Sequence, residues 1–263
     1  MEYRFLKYRV EQGVGVVTID RPPANALNSD LVEELHTAID ALTDDDAVRA
    51  AVFTAEGPFF VGGADIKMMQ ALKGKDLPPF IEGYTVHLQR AYNKIEAMPK
   101  PVIAAINGYA AGGGCELALA CDMRFMAKGK LKIGLPEVKL GLLPGGGGLQ
   151  RMPRLIGKSK AMELLFTGEL VDAETALDIG LVHRIVEPER LMEETLRFAE
   201  KLAGQATLAI GIIKQCVNYG LNTNVKAGLA FDIDAQDILF KSQDGMEGIE
   251  AFVQKRPPNF AGK

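Results

Sequence analysis

"VIAAINGYAAGGGCELALACDMRFMA", residues 102–127, decides the architecture of this chain. "VIAAI" is a short apolar run bounded by turn signals, which suits a buried strand. "CELALAC" opens a helical pattern at or near Gly113–Gly114, and "MRFMA" (123–127) is a strand again. Between the first strand and the helix lie consecutive glycines, and just inside the helix sits one carboxylate, Glu116. Glycine is costly where a chain must be ordered, and a charge is costly where a chain is buried. Both costs fall within five residues, so the local structure needs bare backbone and an acid in one place.

Working outward, the same alternation continues. Residues 3–20 read as two strands around a turn near Gly13, and "NSDLVEELHTAIDALTDDD" as a helix capped by Ser29 or Asp30. "RAAVFTA" (49–55) is a buried strand, followed by "EGPFFVGGADIKMM" as a loop. Residues 70–87 are the least regular part of the first half, and a helix runs through "LQRAYNKIEAM". A short strand is expected near "LKIG", and from about residue 158 the pattern is mostly helical. Strand–helix alternation over the first two thirds argues an α/β fold, and the last third a helical appendage.

Composition narrows the function. The 263 residues are 48% hydrophobic and 24% charged, enough to bury a large core, and the net charge of −4 offers no basic footprint for nucleic acid. An anionic ligand must be held by local groups. The apolar stretch 101–121 is broken by Asn107, glycines and Glu116, so no membrane span is read there. Cys115, Cys121 and Cys216 are odd in number and lie in apolar surroundings, which favours free thiols. No leader pattern precedes the first strands, so a cytoplasmic protein is expected.

Three glycine-marked loops carry the chemistry. "FFVGGADIK" (59–67) can point unshielded N–H groups outward, or it is an ordinary tight turn. Gly113–Gly114 open a helix whose first N–H groups lack internal partners, or they mark a helix packed closely on its neighbour with Glu116 at the surface. "GLPEVKLGLLPGGGG" (134–148) holds Glu137, or it is a flexible surface loop. No GK[ST] follows either glycine run, and no dinucleotide fingerprint, serine elbow or zinc-spaced Cys/His set occurs. His36, His87 and His183 read as structural. Taken together, the loops supply two bare amides for an oxygen that gains charge, and two carboxylates whose proximity pushes their pKa values apart.

"FFVGGADIKMM", "AAINGYAAGGGCELALACD" and "IGLPEVKLGLLPGGGGLQRM", in this order, resemble the crotonase or enoyl-CoA hydratase/isomerase family. "TIDRPPANALN" (18–28) and "AFVQKRPPNF" (251–260) fit the ends of the same pattern, so the resemblance spans nearly the whole chain. It implies a spiral of repeated ββα units over 1–195 and a C-terminal helical region over 196–263 that builds trimers or dimers of trimers. It implies an acyl-CoA thioester as substrate, with no metal and no cofactor beyond the CoA of the substrate. The oxyanion hole then falls on the N–H groups of Ala64 and Gly113, and the catalytic carboxylates on Glu116 and Glu137. Gly145 helps hold a water, and Ala24, Ala26, Ala64, Asp65, Ile66 and Lys67 line the CoA and acyl channel. Phe252, Lys255 and Arg256 reach the CoA from across a subunit boundary, or form a solvated basic tail. One departure is an extra residue within "AKGKLKIG", expected in a turn between strands.

Both glutamates are present, as in hydratases, whereas isomerase-type members commonly keep only the second. The expected reaction is hydration of a trans-2-enoyl-CoA. The rivals are a Δ3-Δ2-enoyl-CoA isomerase or another crotonase-type reaction, and a non-catalytic acyl-CoA-binding protein. Chain-length preference is expected to be set by the 70–87 region and the C-terminal helices.

Overall fold

The structure, a computed structural model, describes residues 3–71 and 80–263. Strands β1 (Leu6–Glu11) and β2 (Val14–Ile19) form an antiparallel hairpin in register Leu6↔Ile19 to Glu11↔Val14. The hairpin turns through Gln12 and Gly13, both at positive φ. Next come β3 (Ala50–Ala55), β5 (Val102–Ile106), β7 (Met123–Ala127) and β10 (Arg184–Val186), which extend one sheet in the order β1-β2-β3-β5-β7-β10. From β2 onward every pairing in it is parallel. A second sheet has the order β4-β6-β8-β9, from β4 (Phe59–Val61), β6 (Tyr109–Ala111), β8 (Lys132–Gly134) and β9 (Val171–Asp172).

The chain winds between the two sheets. β3, β5 and β7 are each followed by a short strand of the second sheet and then by a helical segment, which is the expected spiral of ββα turns. The central strands β2, β3 and β5 are buried on both faces, which is why they read as apolar runs, whereas the edge strand β1 is largely exposed. Alternate side chains divide between two clusters: Val17, Ile19, Phe53 and Ile106 on one face, Val14, Val16, Val52 and Ile103 on the other. Helices Ser29–Asp44, His87–Ala97 and Gly113–Ala120 cover the first cluster, and helix Leu191–Ala203 closes the second with Leu191, Ala199 and Ala203.

Several local expectations change. The cap of helix Ser29–Asp44 is Asn28, whose side chain accepts from the Leu31 N–H, so Ser29 and Asp30 belong to the first turn. The stretch expected as a loop around 56–69 contains β4 and the helix Ile66–Gln70. Of the stretch 70–87, residues 72–79 lie outside the described residues, and Ile81–Val86 form a π-helical turn running straight into helix His87–Ala97. Helix Gly148–Ile156 forms despite Pro153, which sacrifices only one intrahelical bond. The residues between β7 and β8 include Gly129, at positive φ, and connect the two strands by a turn.

The appendage of helices is shorter than the last third, because β10 and helix Leu191–Ala203 belong to the core; it comprises helices Thr207–Leu221, Val225–Lys241 and Gln243–Gln254. Lys214 anchors the first of these, donating to the carbonyls of Ile95 and Lys100 and pairing with Asp122 at 2.9 Å. Ile213, Val217, Ile233, Ile238 and Phe240 are exposed, and Ile210 is half-buried. Among the described residues no helix is long and apolar enough to cross a membrane.

Candidate active site

The first glycine turn leaves β4 at Val61. The Gly62 N–H donates to the Ala24 carbonyl at 2.9 Å, and Gly63 turns the chain at φ +107. Leu27 then forms a parallel bridge: its N–H donates to the Gly63 carbonyl, and its own carbonyl accepts from the Asp65 N–H. In such a bridge the intervening residue turns its N–H and C=O to the opposite side. That residue is Ala64, which lines a cavity of about 440 Å³.

The second turn follows β6. Gly112 adopts φ 55, ψ −123, a conformation open to glycine alone, and its N–H donates to the Gly134 carbonyl. Helix Gly113–Ala120 starts there, so the Gly113 N–H has no carbonyl one turn back to bond. An added Cβ on Gly113 would stand 2.6 Å from Leu27 Cδ1, and one on Gly114 would collide with the Val61 carbonyl. Bare amide and close packing are therefore one arrangement, because the helix can start at the cavity only by lying directly on β4. The two turns meet: a Cβ on Gly112 would lie 3.7 Å from the Gly63 Cα and 2.9 Å from Glu137 Oε1.

Glu116 is not a surface residue. It is 2% exposed, and its Oε1 accepts the Gly148 N–H at 2.8 Å. Burial raises its pKa, while the N–H groups of Gly148, Gly146 and Gly147 and the Arg151 charge oppose the rise. Glu137 opens a single 3-10 turn, Glu137–Leu140, across the same cavity. Its Oε2 is buried without a hydrogen-bond partner among the described residues. Burial pushes its pKa up to about 7, opposed by its own backbone N–H and aided by the negative charge of Glu116. Glu137 has fewer donors than Glu116 to oppose the effect of burial. Two acids thus share one cavity with unequal sets of donors, an asymmetry of the kind that divides base and acid roles.

The apolar wall comes from Phe80, Ile81, Tyr84, Leu140, Leu142 and Leu143. Leu140, Leu142, Leu143 and Ile81 are at least half exposed, an apolar mouth unusual for a surface without a ligand.

A support that sequence reasoning did not anticipate is helix His87–Ala97. Its Tyr92 hydroxyl donates to the Gly113 carbonyl at 2.7 Å, and Gln89 Nε2 donates to the Gly145 carbonyl at 2.6 Å. Asn93 and Glu96 accept from Arg151, which also donates to the Gly146 carbonyl. Positions 89, 92, 93 and 96 share one helix face. That spacing is visible in the sequence, but the partners are far along the chain.

The remaining expected residues divide. Gly113, Gly145 and Ile66 line the cavity with Ala64 and the two glutamates. Ala24 and Ala26 lie beside the first turn through their carbonyls, which accept from Gly62 and Arg21. The Asp65 side chain is committed to Arg21 and to the Lys67 N–H, so it builds the turn, and Lys67 is exposed outside the cavity lining. Phe252, 85% exposed, and Lys255 sit at the end of the last helix, away from this chain's cavity. Arg256 is no free basic residue: it forks onto Glu247 at 2.6 and 2.8 Å. Among the described residues no group of three His, Cys, Asp or Glu side chains has metal-binding geometry. All three cysteines are free, and His36 stacks on His87 at 3.9 Å while His183 accepts the Arg124 N–H.

Known proteins resemble this chain over its length. The family model described as enoyl-CoA hydratase/isomerase matches residues 9–263. A "Crotonyl-CoA hydratase" of Syntrophomonas wolfei is 42% identical over 265 residues, covering 100% of both chains. A "Short-chain-enoyl-CoA hydratase" of Clostridium acetobutylicum is 40% identical, covering 97% of each. A crystal structure from Geobacillus kaustophilus, described as "Enoyl-CoA hydrates", superposes with a TM-score of 0.94 at 36% identity, covering 100% of this chain and 98% of that one.

Proposed function

This chain belongs to the enoyl-CoA hydratase/isomerase family, and from that premise we propose that it reversibly hydrates a trans-2-enoyl-CoA to the 3-hydroxyacyl-CoA. The observation that carries the reading is the cavity in which Glu116 and Glu137 face two turns of bare amides. The thioester oxygen sits against the N–H groups of Ala64 and Gly113. Water, held by both carboxyls and by the Gly145 N–H, adds its oxygen to the β-carbon while its proton passes to the Glu116 carboxylate. Negative charge moves to the thioester oxygen, where the amides stabilise it, and the Glu137 carboxyl delivers its proton to the α-carbon. Both partners approach from one face, so the addition is syn. Exchange of one proton between the carboxyls and solvent resets the enzyme.

All transferred protons are accounted for by water and two carboxyls, so no cofactor enters beyond the CoA of the substrate. The exposed apolar faces of the last helices support a homo-oligomer, a trimer or a dimer of trimers, and three free thiols suit a reducing cytoplasm. In that assembly Phe252 and Lys255 serve a neighbouring subunit's CoA.

Incubation with crotonyl-CoA tests the proposal: the absorbance of the conjugated thioester falls as 3-hydroxybutyryl-CoA forms. Rising absorbance from a 3-enoyl-CoA without hydration would make the chain an isomerase, and binding without turnover would make it a carrier.

A further inference from the structure

The glycine loop 145–148 supplies the N–H that holds Glu116, yet loops rich in glycine do not hold their own shape. Something must fix it. Arg151, on the first turn of the helix that follows, reaches back to the loop: Nη1 donates to the Gly146 carbonyl at 3.2 Å. Its other donors are taken by helix His87–Ala97, Nη2 by Asn93 Oδ1 at 2.7 Å and by Glu96 Oε2 at 2.8 Å, and Nε by the same Glu96 oxygen at 3.2 Å. The side chain is 10% exposed and lies outside the cavity lining, so it touches the loop and not the substrate site.

We propose that Arg151, held by Asn93 and Glu96, is a positioning residue for the reaction: it locks the 145–148 loop so that Gly148 keeps Glu116 oriented. The inference rests on the assignment of Glu116 as base. Only a planar fork can satisfy a carbonyl, an amide oxygen and a carboxylate in fixed directions at once, which lysine cannot do. The same helix holds Gly113 through Tyr92 and Gly145 through Gln89, so one rigid element spaces the amide turn from the acid.

A second effect has its own sign. The Arg151 charge favours ionised Glu116. The other groups facing Glu116 are Glu137 across the cavity, Tyr84 and Tyr92 from the adjoining helical segment, and Cys115 beside it. Burial keeps the two tyrosines and the thiol neutral at working pH, which leaves Arg151, among the described residues, as the cation the base senses. Removing that charge raises the pH at which the base form appears.

The test is steady-state hydration of crotonyl-CoA by the full-length R151M, R151K, E96Q and E116Q variants, with pH profiles. R151M is expected to lower kcat about 10–100-fold while KM stays within about threefold, and to move the acid limb of kcat/KM to higher pH. R151K is expected to return the limb toward its original position without restoring kcat. E96Q, which leaves the arginine in place but loosens its hold, is expected to lower kcat severalfold and stands in if R151M does not fold. An unmoved acid limb in R151M, or a loss carried by KM alone, overturns the proposal. If E116Q is inactive while R151M is near normal, the brace fails alone; if E116Q hydrates normally, the assignment of the base fails first.

Discussion

Gly148 donates its backbone N–H to Glu116 Oε1 across 2.8 Å, joining the first turns of two helices that both begin at glycine. Each helix offers unpaired N–H groups and the positive end of its dipole. Glu116, 2% exposed, sits in the first turn of one and accepts from the first residue of the other, and these donors oppose the rise that burial imposes on its pKa. Glu137, whose Oε2 has no partner among the described residues and whose own backbone N–H alone opposes burial, has its pKa pushed up to about 7.

Gly146 lies over that carboxyl. Its backbone is outside the left-handed region, so alanine is conformationally permitted, but an added Cβ would stand 2.6 Å from Glu116 Oε2 and 2.9 Å from Tyr92 Cε2. Gly146→Ala is expected to displace the carboxyl, lowering kcat about 10–100-fold, for a stability loss of about 1–3 kcal/mol. Calorimetry beside steady-state kinetics checks both parts.

Glu137 also gives a pH signature. Unfolded, it titrates near 4.5; folded, near 7. Between those values the folded state holds a proton that the unfolded state has released, so this group's contribution to stability is complete below about 4.5 and is lost as pH rises to about 7. Glutamine is neutral throughout. The melting temperature of Glu137→Gln minus that of the parent should therefore rise across this window and level off above it. For activity the sign is matched: hydration needs the protonated acid, so kcat/KM should fall on the alkaline side, with apparent values that belong to the coupled pair.

Lys214 separates stability from catalysis. It is nearly buried, and its loss strands Asp122 and the carbonyls of Ile95 and Lys100. Lys214→Met should destabilise the chain by about 3–5 kcal/mol in denaturant titrations. Turnover per folded molecule should stay near that of the parent, because Lys214 does not line the cavity.

The assembly is testable at the exposed apolar face. Light scattering should return the mass of three or six chains of 28.4 kDa, and Ile233→Glu, at a position 69% exposed, should shift the protein toward monomer. A parent that is monomeric at micromolar concentration contradicts the proposed assembly.

Strand 102–106 was legible in the sequence because burial on both faces leaves a continuous apolar run, and strand 123–127 because Arg124 alone interrupts one. Glu116 and the glycines announced themselves as local costs, which need no knowledge of the fold. β4 and β6 were not legible, because three residues are too short for a pattern and only pairing between distant segments defines them. Pro153 hid one helix, and Gly245 and Gly248 hid the last. The Gln89, Tyr92, Asn93 and Glu96 face looks in sequence like the solvated side of an amphipathic helix; that it points at glycine loops is a fact of tertiary structure. The ion pair of Arg256 was not legible for the same reason, since its partner Glu247 lies in a helix the pattern concealed.

The most direct measurement is the hydration rate of crotonyl-CoA by Glu116→Gln and Glu137→Gln, each shown by circular dichroism to be folded. Each substitution should lower kcat about 10²–10⁴-fold, because neither amide can take up or deliver the proton. Near-parental turnover in both folded variants would contradict the account.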